Sequence, residues 1–102
     1  MYKIRSTHFV ENKVGATLVA SLTNSTGDIT CITIHIVNPE DSENIGQRID
    51  ASASLRKLAS DFKDAINLKR DIEITIDEEN HEITVTNNNG TLKIKPSSFN
   101  IY

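Results

Sequence analysis

The sequence predicts a small α+β domain, in which one amphipathic helix packs on one face of an antiparallel sheet and the elements follow the order βββ-α-βββ. Three features indicate this fold: alternating apolar residues in the last third of the chain, one helical stripe before them, and β-branched runs in the first third. The chain has 102 residues and a hydrophobic content of 37%, which are ordinary values for a globular domain. We therefore expect residues 1–102 to form a single domain.

The last third of the chain contains three runs in which every second residue is Ile, Val or Leu. Between the apolar positions lie Glu, Thr, Asp or Lys, so each run has one apolar and one polar face. This pattern is typical of antiparallel strands with one face in water. The strands are predicted at about 71–77, 82–87 and 91–96.

The turns between these runs predict the register of the strands. A four-residue loop over 78–81 would place Ile76 opposite Ile83, both on the apolar face. Asn89-Gly90 is a preferred two-residue hairpin loop, and it would place Val85 opposite Ile94. We therefore expect a three-stranded meander with an apolar inner face.

A single helix is predicted over about 51–67. Its apolar residues follow the i, i+3, i+4, i+7 spacing of one helical face, and polar residues fill the other face. Asp50, Ser52 and Ser54 are alternative N-caps, and Lys69-Arg70 would suit the helix dipole at the C-terminal end. The predicted buried face consists of Leu55, Leu58, Ala59, Phe62, Ala65 and Ile66.

The first third of the chain is predicted to form strands at about 2–10, 14–23 and 28–37. The first of these runs has the weakest pattern. In the third, apolar side chains occur on both faces, with Ile32 and Ile34 on one and Ile29 and Cys31 on the other. Such a strand is usually central or covered on both faces. The pairing of these strands does not follow from the sequence.

Two acidic segments are the candidate binding sites. The first is an acidic loop over 38–49, which we expect to be exposed and to join the third strand to the helix. The second is the hairpin tip around 78–81, which lacks the Gly and the alternating ligands of a calcium loop. Solvated surface is the more common role of such charged segments, and it is the more so for the hairpin tip than for the loop. The candidate partner-binding residues are Glu40, Asp41, Glu43, Asp77, Glu78, Glu79 and Glu82.

Residues that could carry chemistry are few, and their spacing does not suit catalysis. Cys31 and His35 would lie on the same face of one strand, about 13 Å apart, which is too far for a shared metal or a nucleophile–base hydrogen bond. The Gly-rich phosphate loops and the nucleophile elbow are absent from the sequence. We expect no catalytic residue, cofactor or metal. A pocket lined by His8, His35 or His81 would be the contrary finding.

The charge distribution argues against a phosphate-binding protein. The formal net charge is −3, and Lys and Arg are spread along the chain, whereas nucleic-acid binding requires a concentrated basic face. The single Cys31 suits a reducing compartment, and neither a signal peptide nor a membrane-spanning run is recognisable. The expected location is the cytoplasm.

These features favour a small acidic, non-enzymatic protein that binds a basic surface of another protein. A stoichiometric inhibitor or immunity-type protein is the expected class, and a phage or mobile-element inhibitor of a host or defence complex is one candidate. A homodimer is also possible, because one helix covers only part of a six-stranded sheet.

Two other functions remain as alternatives. One is a small enzyme or ligand-binding domain, and the other is a nucleic-acid accessory protein. The nucleic-acid accessory protein would use the polar face of the meander, which lacks stacking aromatic residues. That face carries Thr84, Thr86, Thr91, Lys93 and Lys95.

Overall fold

The computed structural model describes residues 1–12, 14–37, 45–87 and 90–101, with the backbone alone for 45–52. One helix and seven strands form an α+β fold, with a single antiparallel sheet in the order β6-β5-β4-β1-β2-β3-β7. The elements are β1 (Tyr2–Glu11), β2 (Gly15–Thr23), β3 (Ile29–Val37), α1 (Ile45–Leu68), β4 (Asp71–Asp77), β5 (Glu82–Asn87), β6 (Gly90–Ile94) and β7 (Ser98–Ile101).

The predicted α+β class is confirmed, but two boundaries and the number of strands were wrong. The sheet has a seventh strand, β7, which pairs with β3. Its four residues alternate as the other strands do, but so short a run after Pro96 is a weak signal. The strand predicted at 91–96 ends at Ile94, before Pro96, which has no N–H to donate to a strand ladder.

The helix begins at Ile45, so residues 45–49 of the predicted acidic loop are helical. Gly46 lowers helix propensity, and the cap-forming residues Asp50, Ser52 and Ser54 suggested a later start. All three lie inside α1, because tertiary packing overrides such local preferences. The N-terminal part of the acidic loop, 38–44, lies outside the described residues. None of the described helices is long and apolar enough to cross a membrane.

The predicted apolar face of the helix is the centre of the core. Leu55, Leu58 and Phe62 are at most 1% exposed, and Ala65 is also buried. They pack on the inner face of the sheet, where β2 and β3 contribute one alternating row each. These two rows are Ala16, Leu18, Ala20, Leu22, Ile32, Ile34 and Ile36.

The register of the first predicted hairpin is confirmed, and that of the second is wrong. Ile76 pairs with Ile83 across the four-residue turn, as predicted. In the next hairpin, however, Val85 pairs with Leu92 rather than with Ile94, so Asn89-Gly90 is not the loop. The connection, residues 88–89, lies outside the described residues. Because side chains alternate with period two, a slip of two residues leaves the same residues on the apolar face.

A β-bulge explains the weak pattern of the first strand. The register between β1 and β2 shifts between Ile4 and Ser6, so Arg5 is an extra residue in β1. Such an insertion reverses the alternation of side chains beyond it. As a result Ile4 and Phe9, which are five positions apart, both pack on the inner face.

The sheet curls until its two edges approach each other. β6 and β7 lie at opposite ends of the strand order, yet only residues 95–97 separate them in the chain. The ring of His81, in the β4–β5 turn, contacts the ring of Phe99 on β7 with centroids 5.9 Å apart. The helix therefore lies inside a curved sheet and contacts β1, β2, β3 and β6.

The hinge of this curl is the short pairing between β1 and β4. Only Tyr2 and Lys3 of β1 pair with β4, through Ile72 and Asp71. Beyond Lys3, no described strand pairs with β1 on this side. The edge of β1 from about residue 5 to Glu11 is therefore open among the described strands.

The C-terminal end of α1 adopts a left-handed cap without glycine. Lys69 has a φ of 54°, the Arg70 N–H donates to the Ala65 carbonyl at 2.9 Å, and the Lys69 N–H donates to the Ile66 carbonyl at 3.4 Å. This is a Schellman arrangement, in which Gly normally occupies the left-handed position.

Lys69→Gly is expected to stabilise the fold by roughly 0.5–1 kcal/mol, because the strain at a left-handed Lys exceeds the entropy that Gly adds to the unfolded chain. The free energy of unfolding in urea would measure this gain. The matched control is Lys57→Gly, at an exposed position inside α1, which should cost about 1 kcal/mol. Equal losses for both variants would contradict the assignment of the cap.

Candidate functional site

Four of the seven predicted partner-binding residues lie together at the tip of the β4–β5 hairpin. We call this group, Asp77, Glu78, Glu79 and Glu82, the acidic tip. Asp77 and Glu82 are directly opposite each other in the last strand pair, where like charges repel. None of the four forms an ion pair with a described residue. The other three candidates, Glu40, Asp41 and Glu43, lie outside the described residues.

Hydrogen bonds within the turn fix the shape of the tip. The Asn80 amide group donates to one carboxylate oxygen of Asp77 at 2.7 Å, and the Asn80 backbone N–H donates to the other at 3.2 Å. These two bonds lower the pKa of Asp77 below its ordinary value of 3.8. The Asp77 carboxylate is therefore held in place by Asn80 and is ionised at neutral pH.

The lowered pKa of Asp77 predicts a stability difference that depends on pH. A depressed pKa stabilises the fold above the unfolded-state value, and this contribution is lost as the pH falls through the folded-state value. Asp77→Ala should therefore be less stable than the wild type at pH 6, and the gap should close as the pH falls below about 4. Urea unfolding at several pH values measures the gap.

Asn80→Ala serves as the control, because it removes the side-chain donor but leaves Asp77 in place. It should reproduce part of the same gap with the same pH dependence. A gap that stays constant between pH 6 and pH 2 would contradict the role of these hydrogen bonds.

Of the three His residues, His8 lines a cavity of about 480 Å³, whose lining does not include Cys31, His35 or His81. Cys31 is a free, half-buried thiol, and it lies beside Ser21 on the neighbouring strand. His35 Nδ1 is hydrogen-bonded to the Thr17 hydroxyl at 2.7 Å, and His81 packs against Phe99. Within the described part of the chain, no three His, Cys, Asp or Glu residues are grouped to bind a metal ion.

The face of β1, β2, β3 and β7 that points away from the helix is not covered by any described element. We call it the outer face. Val10, Val19, Ile29 and Val37 are 40–58% exposed there. Around them the strand register places His8, Thr17, Thr33 and His35, with Ser98 and Asn100 on β7.

The outer face carries no carboxylate among its described residues, although the chain has 14 Asp and Glu. Glu11, the one acidic residue of these four strands, pairs with Ala16 on the inner side. The sequence predicted that β3 would be central, and β3 does lie between β2 and β7. The exposure of its second face was not predicted.

The polar face of the meander contains acidic residues as well as Thr and Lys. Thr84 pairs with Lys93 on one side and with Thr75 on the other. Glu73, Asp77 and Glu82 project from the same face, since they alternate with the inward isoleucines of β4 and β5. These carboxylates would repel phosphates, so this face does not favour nucleic acid.

Two separate cavities with basic side chains lie between β1 and α1, and the sequence did not predict them. The larger, of about 480 Å³, borders the open edge of β1, and the smaller, of about 220 Å³, borders Lys3 and Ile4. We call the two cavities together the β1–α1 cleft. Five of the 11 Lys and Arg residues of the chain line it: Lys3, Arg56, Lys63, Lys69 and Arg70. The antiparallel course of β1 and α1 brings these distant positions together. The spacing of Lys and Arg in the sequence does not indicate this grouping.

One ion pair closes the end of the cleft. Arg56 on α1 donates two hydrogen bonds to the carboxylate of Glu11 on β1, at 2.8 and 3.3 Å. The bonds and the charge of Glu11 raise the pKa of Arg56. Lys3, Lys63 and Lys69 have no ion-pair partner among the described residues, so the cleft keeps a positive charge.

A buried hydroxyl lies beside the cleft without a partner. Thr7 Oγ1 is inaccessible and forms no hydrogen bond with any described residue. Burying a hydroxyl without a hydrogen-bond partner costs free energy, and Thr7→Val removes that hydroxyl. The substitution should therefore raise the free energy of unfolding by about 1 kcal/mol.

The matched control is Thr17→Val, which removes a hydroxyl that is hydrogen-bonded to His35. This change should cost about 1 kcal/mol. Urea unfolding of both variants tests the difference, and a loss of stability in Thr7→Val would show that its hydroxyl has a partner in solution.

Comparisons with protein-family models, with curated proteins and with solved structures each found no significant match to this chain.

Proposed function

We propose that this chain is a non-enzymatic protein-binding module that covers the surface of a partner protein, as a stoichiometric inhibitor or immunity-type protein does. The observation that carries the proposal is the outer face, which is uncovered, exposes apolar side chains and has no carboxylate among its described residues. Val10 and Val19 are diagonal neighbours on adjacent strands, whereas Thr, His, Ser and Cys side chains separate them from Ile29 and Val37, so the lack of carboxylates carries more of the proposal than the apolar side chains do. The centre of a protein interface is depleted in charge.

The acidic tip indicates that the partner carries basic side chains. The contact between His81 and Phe99 places the tip beside β7, the last strand of the outer face. The unpaired carboxylates of Asp77, Glu78, Glu79 and Glu82 would then form a negative rim, which favours and steers a partner with basic side chains. The partner proposed is thus apolar at the centre of its contact surface and basic at one side.

The size of the outer face agrees with a contact that includes the tip. Four strands at about 4.8 Å and seven residues at about 3.3 Å give a flat area of roughly 450 Å². Each partner in a stable interface buries about 800 Å². The outer face alone supplies roughly half of that area, and the tip with its surroundings would supply more.

The proposal places the chain in the cytoplasm, as an inhibitor of a host or defence complex carried by a phage or mobile element. The lone thiol of Cys31 supports a reducing compartment. A second copy of the chain is the competing occupant of the outer face, because the exposed apolar side chains of two copies could pack together in a two-fold dimer.

Val19→Asp tests the outer face, because Val19 lies between His8 and Thr33 at its centre. Partners are captured from lysate of the native host treated with nuclease, then purified and titrated against the chain by calorimetry. We expect a one-to-one complex that is weakened at least tenfold by Val19→Asp, since an unpaired carboxylate would be buried in the contact.

Val14→Asp is the control, since Val14 is exposed outside the outer face, in the β1–β2 connection. It should leave the affinity unchanged. Equal affinity of the Val19→Asp variant and the wild type would contradict the proposal. So would a concentration-dependent dimer, seen by light scattering, that Val19→Asp abolishes while no other protein binds.

A further inference from the structure

We propose that the β1–α1 cleft is a second binding site, which takes an extended acidic peptide segment of another protein as an added strand on the open edge of β1. This site is separate from the outer face and from the acidic tip, and it goes beyond the function proposed above.

The first argument is the open main chain of β1. Past Lys3, β1 is paired with β2 alone among the described strands. The remaining residues, to Glu11, therefore have N–H and C=O groups along one edge without a strand partner. Such an edge is a template for an added strand, and recognition domains use it to bind extended peptides.

The second argument is the shape of the cleft. Its larger cavity contacts three consecutive residues of β1: Thr7, His8 and Phe9. Successive side chains of a strand point to opposite faces, so a cavity that contacts all three must run along the edge of the strand. The opposite wall is α1, where Ala59 and Ser60 have short side chains. A peptide lying in the cavity could thus reach the main chain of β1 while α1 covers it.

The third argument is the charge of the walls. Lys63 lines the larger cavity, and Lys3 and Lys69 line the smaller one. None of them has an ion-pair partner among the described residues. Arg56 is paired with Glu11, and Arg70 also borders a small cavity with Asp61, Asp64 and Asp71, so these two arginines contribute less. Lys63 lies beside the open edge, and Lys3 and Lys69 lie near its start, where β1 pairs with β4. These lysines complement Glu or Asp side chains of an extended peptide.

A peptide fits these features better than single-stranded nucleic acid. Proteins that bind single strands stack bases on exposed aromatic rings. Among the described residues, Phe9 is the one Phe, Tyr or Trp that borders the two cavities, and it is half-buried against the core. The open backbone edge, in contrast, offers hydrogen bonds that match a peptide backbone.

The probe is a dye-labelled peptide of about eight residues that alternates Glu and Thr, roughly 26 Å long when extended. Its binding to the full chain is followed by fluorescence anisotropy at low salt, and backbone amide shifts are followed by NMR. We expect saturable binding, with the largest shifts in β1 between residue 5 and Glu11. Lys63→Glu should weaken the affinity at least tenfold.

The matched control is Lys57→Glu, which makes the same charge change on an exposed position of α1 that does not line the cleft. It should leave the affinity within about twofold of the wild type. A peptide that is N-methylated at alternate bonds keeps its carboxylates but loses strand pairing, and it should bind at least tenfold more weakly.

Three outcomes would overturn the proposal. The first is equal weakening by Lys57→Glu and Lys63→Glu, which would indicate attraction by overall charge. The second is unchanged binding of the methylated peptide, which would exclude strand addition. The third is a thymidine oligonucleotide of equal length that binds the cleft more tightly than the peptide. Val19→Asp, which tests the outer face, should leave peptide binding intact, so failure of either proposal can be recognised separately.

Discussion

The packing of one helix against the inner face of a curved sheet is the constraint on which the rest of this structure depends. A flat sheet of seven strands would be about 30 Å wide, whereas a helix with its side chains is about 10 Å wide. One helix could cover only a few strands of such a sheet. Curling brings β6 into contact with α1 along with β1, β2 and β3, so Leu55, Leu58 and Phe62 are almost wholly buried.

The curl also determines which surfaces remain open. Because β1 and β4 pair only at Tyr2 and Lys3, the sheet can turn sharply there, and the rest of β1 keeps a free edge beside α1. The same turn carries the β4–β5 hairpin round to β7, where His81 meets Phe99. The basic cleft, and the position of the acidic tip beside β7, are thus geometric consequences of how the core closes.

Much of this fold follows from local periodicity, and the errors show where periodicity carries no information. The stripe around Phe62 and the alternation around Ile83 predict their own burial, because each repeats on one face of its element. A two-residue slip between β5 and β6 preserves that alternation, so the pattern could not distinguish Leu92 from Ile94 as the partner of Val85. The bulge at Arg5 is likewise visible only after pairing is known.

The acidic tip could be predicted from the sequence and the basic cleft could not, because the charged residues of the tip are neighbours in the chain and those of the cleft are neighbours only in space. The acidic tip is continuous in the sequence, so composition alone identifies it. Lys3 and Lys63 lie sixty positions apart, and only the antiparallel course of β1 and α1 brings them to one cleft. A net charge of −3 therefore describes neither surface, since cations and carboxylates are separated in space.

This separation of charge gives the surfaces different chemistry. Contacts across the outer face would depend on apolar burial and on fit, and salt would change them little. The proposed contacts in the cleft and at the tip would be between exposed charges, which ions at physiological strength screen beyond about 8 Å. Their selectivity would then come from close range: from the open backbone of β1 in the cleft, and from the turn that Asn80 holds at the tip. In both places the backbone, rather than the charge alone, would decide which partner fits.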